Sequence, residues 1–293
     1  MNFQTPEEAK LTLLLVLAML ISAFLITAEA DAYIPSTQFV FNRLTATHGK
    51  GGYIIEDEVY LNEGIENQIV RESWLILDGG EMRVAATGDG LRTFRILKRN
   101  RVFWMDESGS ERSDESSPDA FMKALLTRNP VDEKKLFVSW GILPADVLRD
   151  KKLPKESKDI PLESENFVRL GRVAGAVNYA YGQPAPVEGP LSPGLWVEQD
   201  EFVIRKMRAP DGSDIQLNDY VTYAKGLAFP KSQTIIFDNH VANVRVTKVV
   251  GLELSTDMKR QLDVTWFRNH KESTTWPKTA AGPVLQEFYK RFR

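Results

Sequence analysis

Across residues 195–250 apolar and polar side chains alternate in short segments, and turn residues cut the run into pieces. Residues 195–207 run into Ala209-Pro210-Asp211-Gly212-Ser213-Asp214, and residues 215–220 follow. The pattern restarts after Phe229-Pro230-Lys231 and turns again at Asp238-Asn239-His240 before Val241. Asp and Gly accept the positive φ of tight hairpins, so this stretch predicts a β-meander with one apolar face. The N-terminal half alternates in the same way. Residues 37–47 read as a first strand with Phe39 and Phe41 on one face, broken by the loop His48-Gly49-Lys50-Gly51-Gly52. In the next strand, 53–61, the set Tyr53, Ile55, Asp57, Val59 and Leu61 makes the better buried face, and Asp57 then needs a partner or an edge position. Further strands are expected at 69–77, 82–86, 91–97 and 101–105. Many short strands at regular spacing predict a sandwich, a barrel or a curved open sheet.

Helical spacing is confined to a few places. Pro118-Asp119 reads as the start of a helix with Phe121, Met122, Leu125 and Leu126 on one face. A second helix is expected over 132–140, a short one over 257–262, and a terminal one over 284–292 with Leu285, Phe288 and Phe292 in one stripe. Residues 106–119 are nearly all Asp, Glu, Ser, Gly and Arg and read as a solvated loop. Two more strands are expected within 167–181, between charged or Pro/Gly-rich connections at 150–166 and 183–194.

Residues 11–27 differ in kind. A basic Lys10, an apolar core and small residues at Ala28-Glu29-Ala30 or Ala30-Asp31-Ala32 form the parts of a secretory leader, with cleavage expected after Ala30 or Ala32. An uncleaved inner-membrane anchor is the alternative, since about 17 residues at about 1.5 Å each just cross a thin bilayer. Residues 33–293 are then expected to form a single domain with a C-terminal helical tail. The chain has no cysteine, which excludes disulfides, thiolate metal sites and a lipid anchor on cysteine. Residues 1–32 carry the whole net charge of −3, so the rest is neutral and lacks the basic surface that nucleic acid requires.

Catalytic chemistry finds little support. His48, His240 and His270 lie in separate turns and loops without a flanking acid or nucleophile, and each is read as a surface residue. The glycine loop after His48 lacks the spacing of a phosphate cradle, and Asp211-Gly212-Ser213-Asp214 lacks the later ligands of a calcium loop. We expect no enzyme, metal or cofactor. A hydrolase site would require the histidines to cluster with a carboxylate.

The segment opening Leu195-Trp196-Val197-Glu198, its basic strand, the Asp211-Gly212 hairpin, Asp219-Tyr220, Phe229-Pro230-Lys231 and the alternating run Val244 to Val249 resemble the LolA/LolB-like family of outer-membrane lipoprotein-sorting proteins. Residues 121–129, Phe-Met-Lys-Ala-Leu-Leu-Thr-Arg-Asn, are similar to the helix that caps the mouth of that fold. The resemblance implies a mainly β fold with a few α-helices: a curved antiparallel sheet, an unclosed half-barrel, lidded by helices around a lipid-binding hollow. It implies a periplasmic carrier of lipoprotein acyl chains or another lipid, with envelope proteins as partners. Phe121, Met122, Leu125 and Leu126 become lid residues, and Trp74, Ile76, Met82, Phe94, Ile96 and Phe103 become cavity walls. One departure stands out: the Arg-Pro pair that carriers place after their third-strand tryptophan, where the arginine holds the lid, is replaced after Trp74 by Leu75-Ile76-Leu77-Asp78, and Arg83 sits one strand on. The rival reading is an envelope interaction module with a solidly filled β core.

Overall fold

Thirteen strands form one antiparallel sheet in the computed structural model, which describes residues 34–63, 66–78, 80–99, 101–115, 121–148, 165–182, 193–253, 255–270 and 273–293. The leader, its cleavage sites and most of the two long connections lie outside these residues. The strands are β1 (Gly52–Glu63), β2 (Glu66–Ile76), β3 (Met82–Gly88), β4 (Leu91–Lys98), β5 (Arg101–Met105), β6 (Glu111–Glu115), β7 (Val168–Val173), β8 (Ala176–Gly182), β9 (Gly194–Glu198), β10 (Ile204–Arg208), β11 (Asp214–Thr222), β12 (Ala228–Phe237) and β13 (His240–Leu252). Their order across the sheet is β6-β5-β4-β3-β2-β1-β13-β12-β11-β10-β9-β8-β7. The chain therefore meanders outward from β1 to β6, crosses to the far edge, and meanders back until β13 pairs with β1 in the middle. The sheet does not close, and its shape is an unclosed half-barrel.

Local chemistry sets the hairpins. Asp238 and Asn239 take φ of 44° and 67°, the two left-handed positions of a tight turn, and Phe237 then faces His240 across the β12–β13 ladder. The Asp211 carboxylate accepts from the Ser213 amide in the turn between β10 and β11. A bulge at Glu56/Asp57 shifts the β1–β13 register, so Glu56 pairs with Lys248 and Asp57 with Val246.

Three sequence expectations are corrected. Residues 37–47 are not a strand but helix α1 (Thr37–Ala46), whose N-cap hydroxyl at Ser36 accepts from the Phe39 amide. The period-2 match of Phe39 and Phe41 was accidental: Val40, Phe41 and Leu44 are fully buried at helical spacing, while Phe39 is exposed. Within the charged 106–119 stretch, β6 pairs with β5 as an exposed strand at one end of the sheet, where side chains such as Glu111, Arg112 and Asp114 blunt an otherwise free edge. The segment after Pro118 forms a single 3-10 turn at Phe121–Lys123 rather than a helix.

The remaining helices are α2 (Pro130–Ser139), α3 (Thr256–Arg260), α4 (Val264–His270) and α5 (Ala281–Phe292). Asn129 caps α2 by accepting from the Val131 and Asp132 amides, with proline in the first turn. Among the described residues no helix is long and apolar enough to cross a membrane.

Candidate functional site

Register and alternation together assign each strand residue to a face. Ile55 lies opposite Trp74, Tyr53 opposite Ile76, and Asp57 opposite Glu72. Trp74 lies opposite Val84, and Ile76 opposite Met82. On the far half the same face carries Tyr181, Leu195, Met207, Ile215, Ile235 and Ala242, all buried. This is the concave wall, apolar for nearly its whole width.

The hollow is occupied by segments from both ends of the chain. Phe41 of α1 meets Tyr181 at 5.7 Å and Phe137 of α2 at 6.3 Å between ring centres. Helix α5 brings Leu285, Phe288, Tyr289 and Phe292, each 0% exposed, and Phe237 of β12 lies 5.9 Å from Phe288 and 5.2 Å from Phe292. The stripe read from the sequence of this helix is its buried face.

Charge sits at the bottom of the hollow. The Nε of Arg293 donates to both oxygens of Glu72, at 3.0 and 2.9 Å, and the Trp74 indole N–H donates to the same carboxylate at 3.2 Å. The guanidinium lies 5.3 Å from the Trp74 ring, 5.7 Å from Phe121 and 4.9 Å from Phe288. Arg95 of β4 donates to the Tyr289 carbonyl at 2.7 Å, a cation against the C-terminal end of α5. Asp57 is the buried carboxyl that the alternation left in need of a partner, and the other acid beside it is Glu72. Burial first, then the charge of Glu72, holds the Asp57 carboxyl well above the usual carboxylate range, with Arg293 opposing. Arg293 keeps its charge: burial pulls its pKa down, and Glu72 and Asp57 more than offset that.

No family model matches the chain, and no curated protein matches it. Solved structures do. A LolA superfamily protein from Nitrosomonas europaea superposes with a TM-score of 0.47 at 9% identity, over 77% of this chain and 97% of that one. A DUF1329 family protein from Desulfovibrio piger gives 0.48 at 9% identity, over 78% and 96%. A putative outer membrane lipoprotein-sorting protein domain from Vibrio parahaemolyticus gives 0.43 at 10% identity, over 77% and 97%. The chain resembles these proteins in fold. At such identities no residue's role passes from them to this chain.

The half-barrel divides the expected wall residues between its two faces. Trp74, Ile76 and Met82 are on the concave face and buried. Phe94, Ile96 and Phe103 are not: Arg83 pairs with Ile96 and Ile96 with Phe103, which places them on the convex face, where they cluster with Met105. The residues of β4 that point inward are Leu91, Thr93, Arg95 and Leu97. Single-strand alternation could not make this distinction, because β4 buries apolar residues on both sides. The convex face is covered over part of its width by α3 and the turn after it: Leu262 packs with Leu75, Leu77, Ile54 and Met258, and Arg83 donates to Gln261 at 2.5 Å. Phe121, Met122, Leu125 and Leu126 come together as expected and are buried over the hollow, with the Phe121 ring on Arg293. The arginine that the sequence lacks after Trp74 thus reaches the same ring from the other end of the chain.

Two surface depressions of about 470 Å³ each lie elsewhere. One is lined by Tyr60, Ser232, Thr234, Asn243 and Arg245, and the other by Trp104, Arg112, Thr274, Trp276 and Gln286. Among the described residues no cluster of acidic and histidine side chains could hold a metal ion.

The surface reading of His48 is overturned. Its backbone bridges to Leu227, its Nδ1–H donates to the Thr127 carbonyl at 2.5 Å, and its ring is 2% exposed. Burial lowers its pKa to about 4, with Arg128 adding to the effect and the Thr127 contact opposing it. The folded state thus keeps His48 neutral while the unfolded chain takes up a proton below about pH 6.5, so stability falls as pH drops from 6.5 to about 4. Asp57 and Glu133, whose pKa values burial raises, slope the other way and lose stability as pH rises above the ordinary carboxylate range. The difference between wild type and His48→Gln isolates the histidine. It is expected to amount to on the order of 3 kcal/mol across that window, read by urea unfolding at successive pH values.

Proposed function

We propose that this chain is an exported, periplasmic protein that holds an acyl chain or a similar apolar ligand against the concave face of its sheet, without covalent chemistry. Lipoprotein sorting or transport is the process that the sequence resemblance favours, and it makes lipoproteins and envelope proteins the partners. The observation that carries the reading is the way the hollow is filled. Helix α5 lies along the apolar wall and is held there by side chains and by Arg95 on its terminal carbonyls, not by strand pairing. It can be exchanged for a ligand without breaking a ladder. The magnitudes allow this: an acyl chain burying ten CH₂ groups gains about 8 kcal/mol, against about 1.5–3 kcal/mol for each of Leu285, Phe288 and Phe292 withdrawn. Trp74, Ile76 and Met82 are then wall, and Phe121, Met122, Leu125 and Leu126 are lid.

A second reading, an envelope interaction module with a permanently filled core, is favoured by the complete burial of Phe121, Met122, Leu125 and Leu126 against residues already present. Native mass spectrometry of the protein taken from the periplasm separates the two. Co-purified lipid or lipoprotein is the expected result. A uniformly ligand-free protein overturns the carrier reading and leaves the filled module.

A further inference from the structure

We propose that the hollow selects amphiphiles whose polar end is a cation, an alkylammonium or alkylguanidinium, over neutral or anionic chains. This rests on the acyl-chain reading above and names the head group that such a ligand carries.

The floor under α5 is acidic. Asp57 and Glu72 sit side by side on β1 and β2, both buried, with the Trp74 indole beside them. What meets them in the structure is a cation at the end of an apolar stripe: the Arg293 guanidinium, bound to both Glu72 oxygens and stacked against Trp74, follows Phe288 and Phe292 along the wall. Asp57 Oδ1 is buried there without a hydrogen-bond partner among the described residues. The internal occupant of the hollow is itself a cationic amphiphile in chemical outline.

Any ligand that lies where α5 lies removes Arg293 from this floor. A buried carboxylate without a counter-charge is costly. Arg95 does not replace the lost cation, since its guanidinium is engaged with the Tyr289 and Arg293 carbonyls and stacks at 5.2 Å on Trp104. The ligand therefore supplies the positive charge itself, with its chain on the wall and its head between Glu72, Asp57 and the face of Trp74. A decanoate head would add a third carboxylate to the same floor.

The test uses the full-length protein at pH 7 and three ten-carbon probes below their micelle concentrations, decylammonium, 1-decanol and decanoate, by isothermal titration calorimetry. Decylammonium is expected to bind at least tenfold tighter than decanol, with decanoate weakest. Glu72→Gln is expected to reduce decylammonium to the affinity of decanol while leaving decanol unchanged. If Glu72→Gln does not fold, Glu72→Gln/Arg293→Gln, which removes both charges together, carries the same comparison. Equal binding of all three probes, or a preference for decanoate, overturns the cation selectivity and leaves the acyl-chain reading standing. Binding by none of them overturns both. A synthetic peptide of residues 281–293 binding more tightly than decylammonium also overturns the proposal, because it assigns the hollow to a peptide helix.

Discussion

Glu72→Gln is expected to lower the free energy of unfolding by about 3–5 kcal/mol at pH 7, because it leaves the Arg293 guanidinium buried with its principal counter-charge gone. The geometry makes this more than a surface ion pair: Glu72 is 3% exposed and Arg293 1%, and the carboxylate also takes the Trp74 N–H. Asp57 softens the loss only by ionising, which its burial resists. Removing both partners in Glu72→Gln/Arg293→Met should cost less than the single change, since two apolar or neutral groups of similar volume replace two desolvated charges. Urea unfolding of the two variants, with m-values compared, measures the difference. A single-variant loss below about 1 kcal/mol would place the pair among exposed ion pairs in its effect and remove it as the fastening of α5.

Phe288→Ala is expected to cost a further class of energy, about 3–5 kcal/mol from lost transfer energy and the cavity left in the wall of the hollow. Phe288 is fully buried between Phe237, Phe292, Tyr289 and the Arg293 guanidinium, so little of that space collapses. An apolar cavity of this kind stays dry and takes up benzene. Saturating benzene should therefore restore part of the loss, about 2.7 kcal/mol at a hundredfold excess over its dissociation constant. Thermal unfolding with and without benzene reads both numbers. An unchanged midpoint in Phe288→Ala would show that α5 contributes no packing to the wall.

The meander at 195–250 was legible because each of its turns carries its own chemistry: Asp211-Gly212 and Asp238-Asn239 dictate hairpins locally, and the strands between them follow. The apolar stripe of α5 was legible for the same reason, since Leu285, Phe288 and Phe292 recur at helical spacing whatever they touch. Residues 37–46 misled because two phenylalanines two apart fit a strand, and the helix was chosen by the burial of Val40, Phe41 and Leu44 against Phe137 and Tyr181. His48 misled because a glycine-rich neighbourhood reads as surface, whereas the ring is covered by a segment nearly 80 residues later in the chain.

What the sequence by itself determined was the kind of structure: short strands, tight hairpins, a few amphipathic helices, and on β1 a face whose burial demanded a partner for Asp57. These are properties of neighbours two to four residues apart, and backbone sterics and side-chain period enforce them wherever the chain goes. Only the tertiary structure decided that β13 pairs with β1, that Phe94, Ile96 and Phe103 turn away from the hollow, and that an arginine 221 residues from Glu72 reaches its carboxylate. Those outcomes depend on contacts distant in sequence, and a residue's own neighbours carry no record of which remote group will offset the cost of burying it.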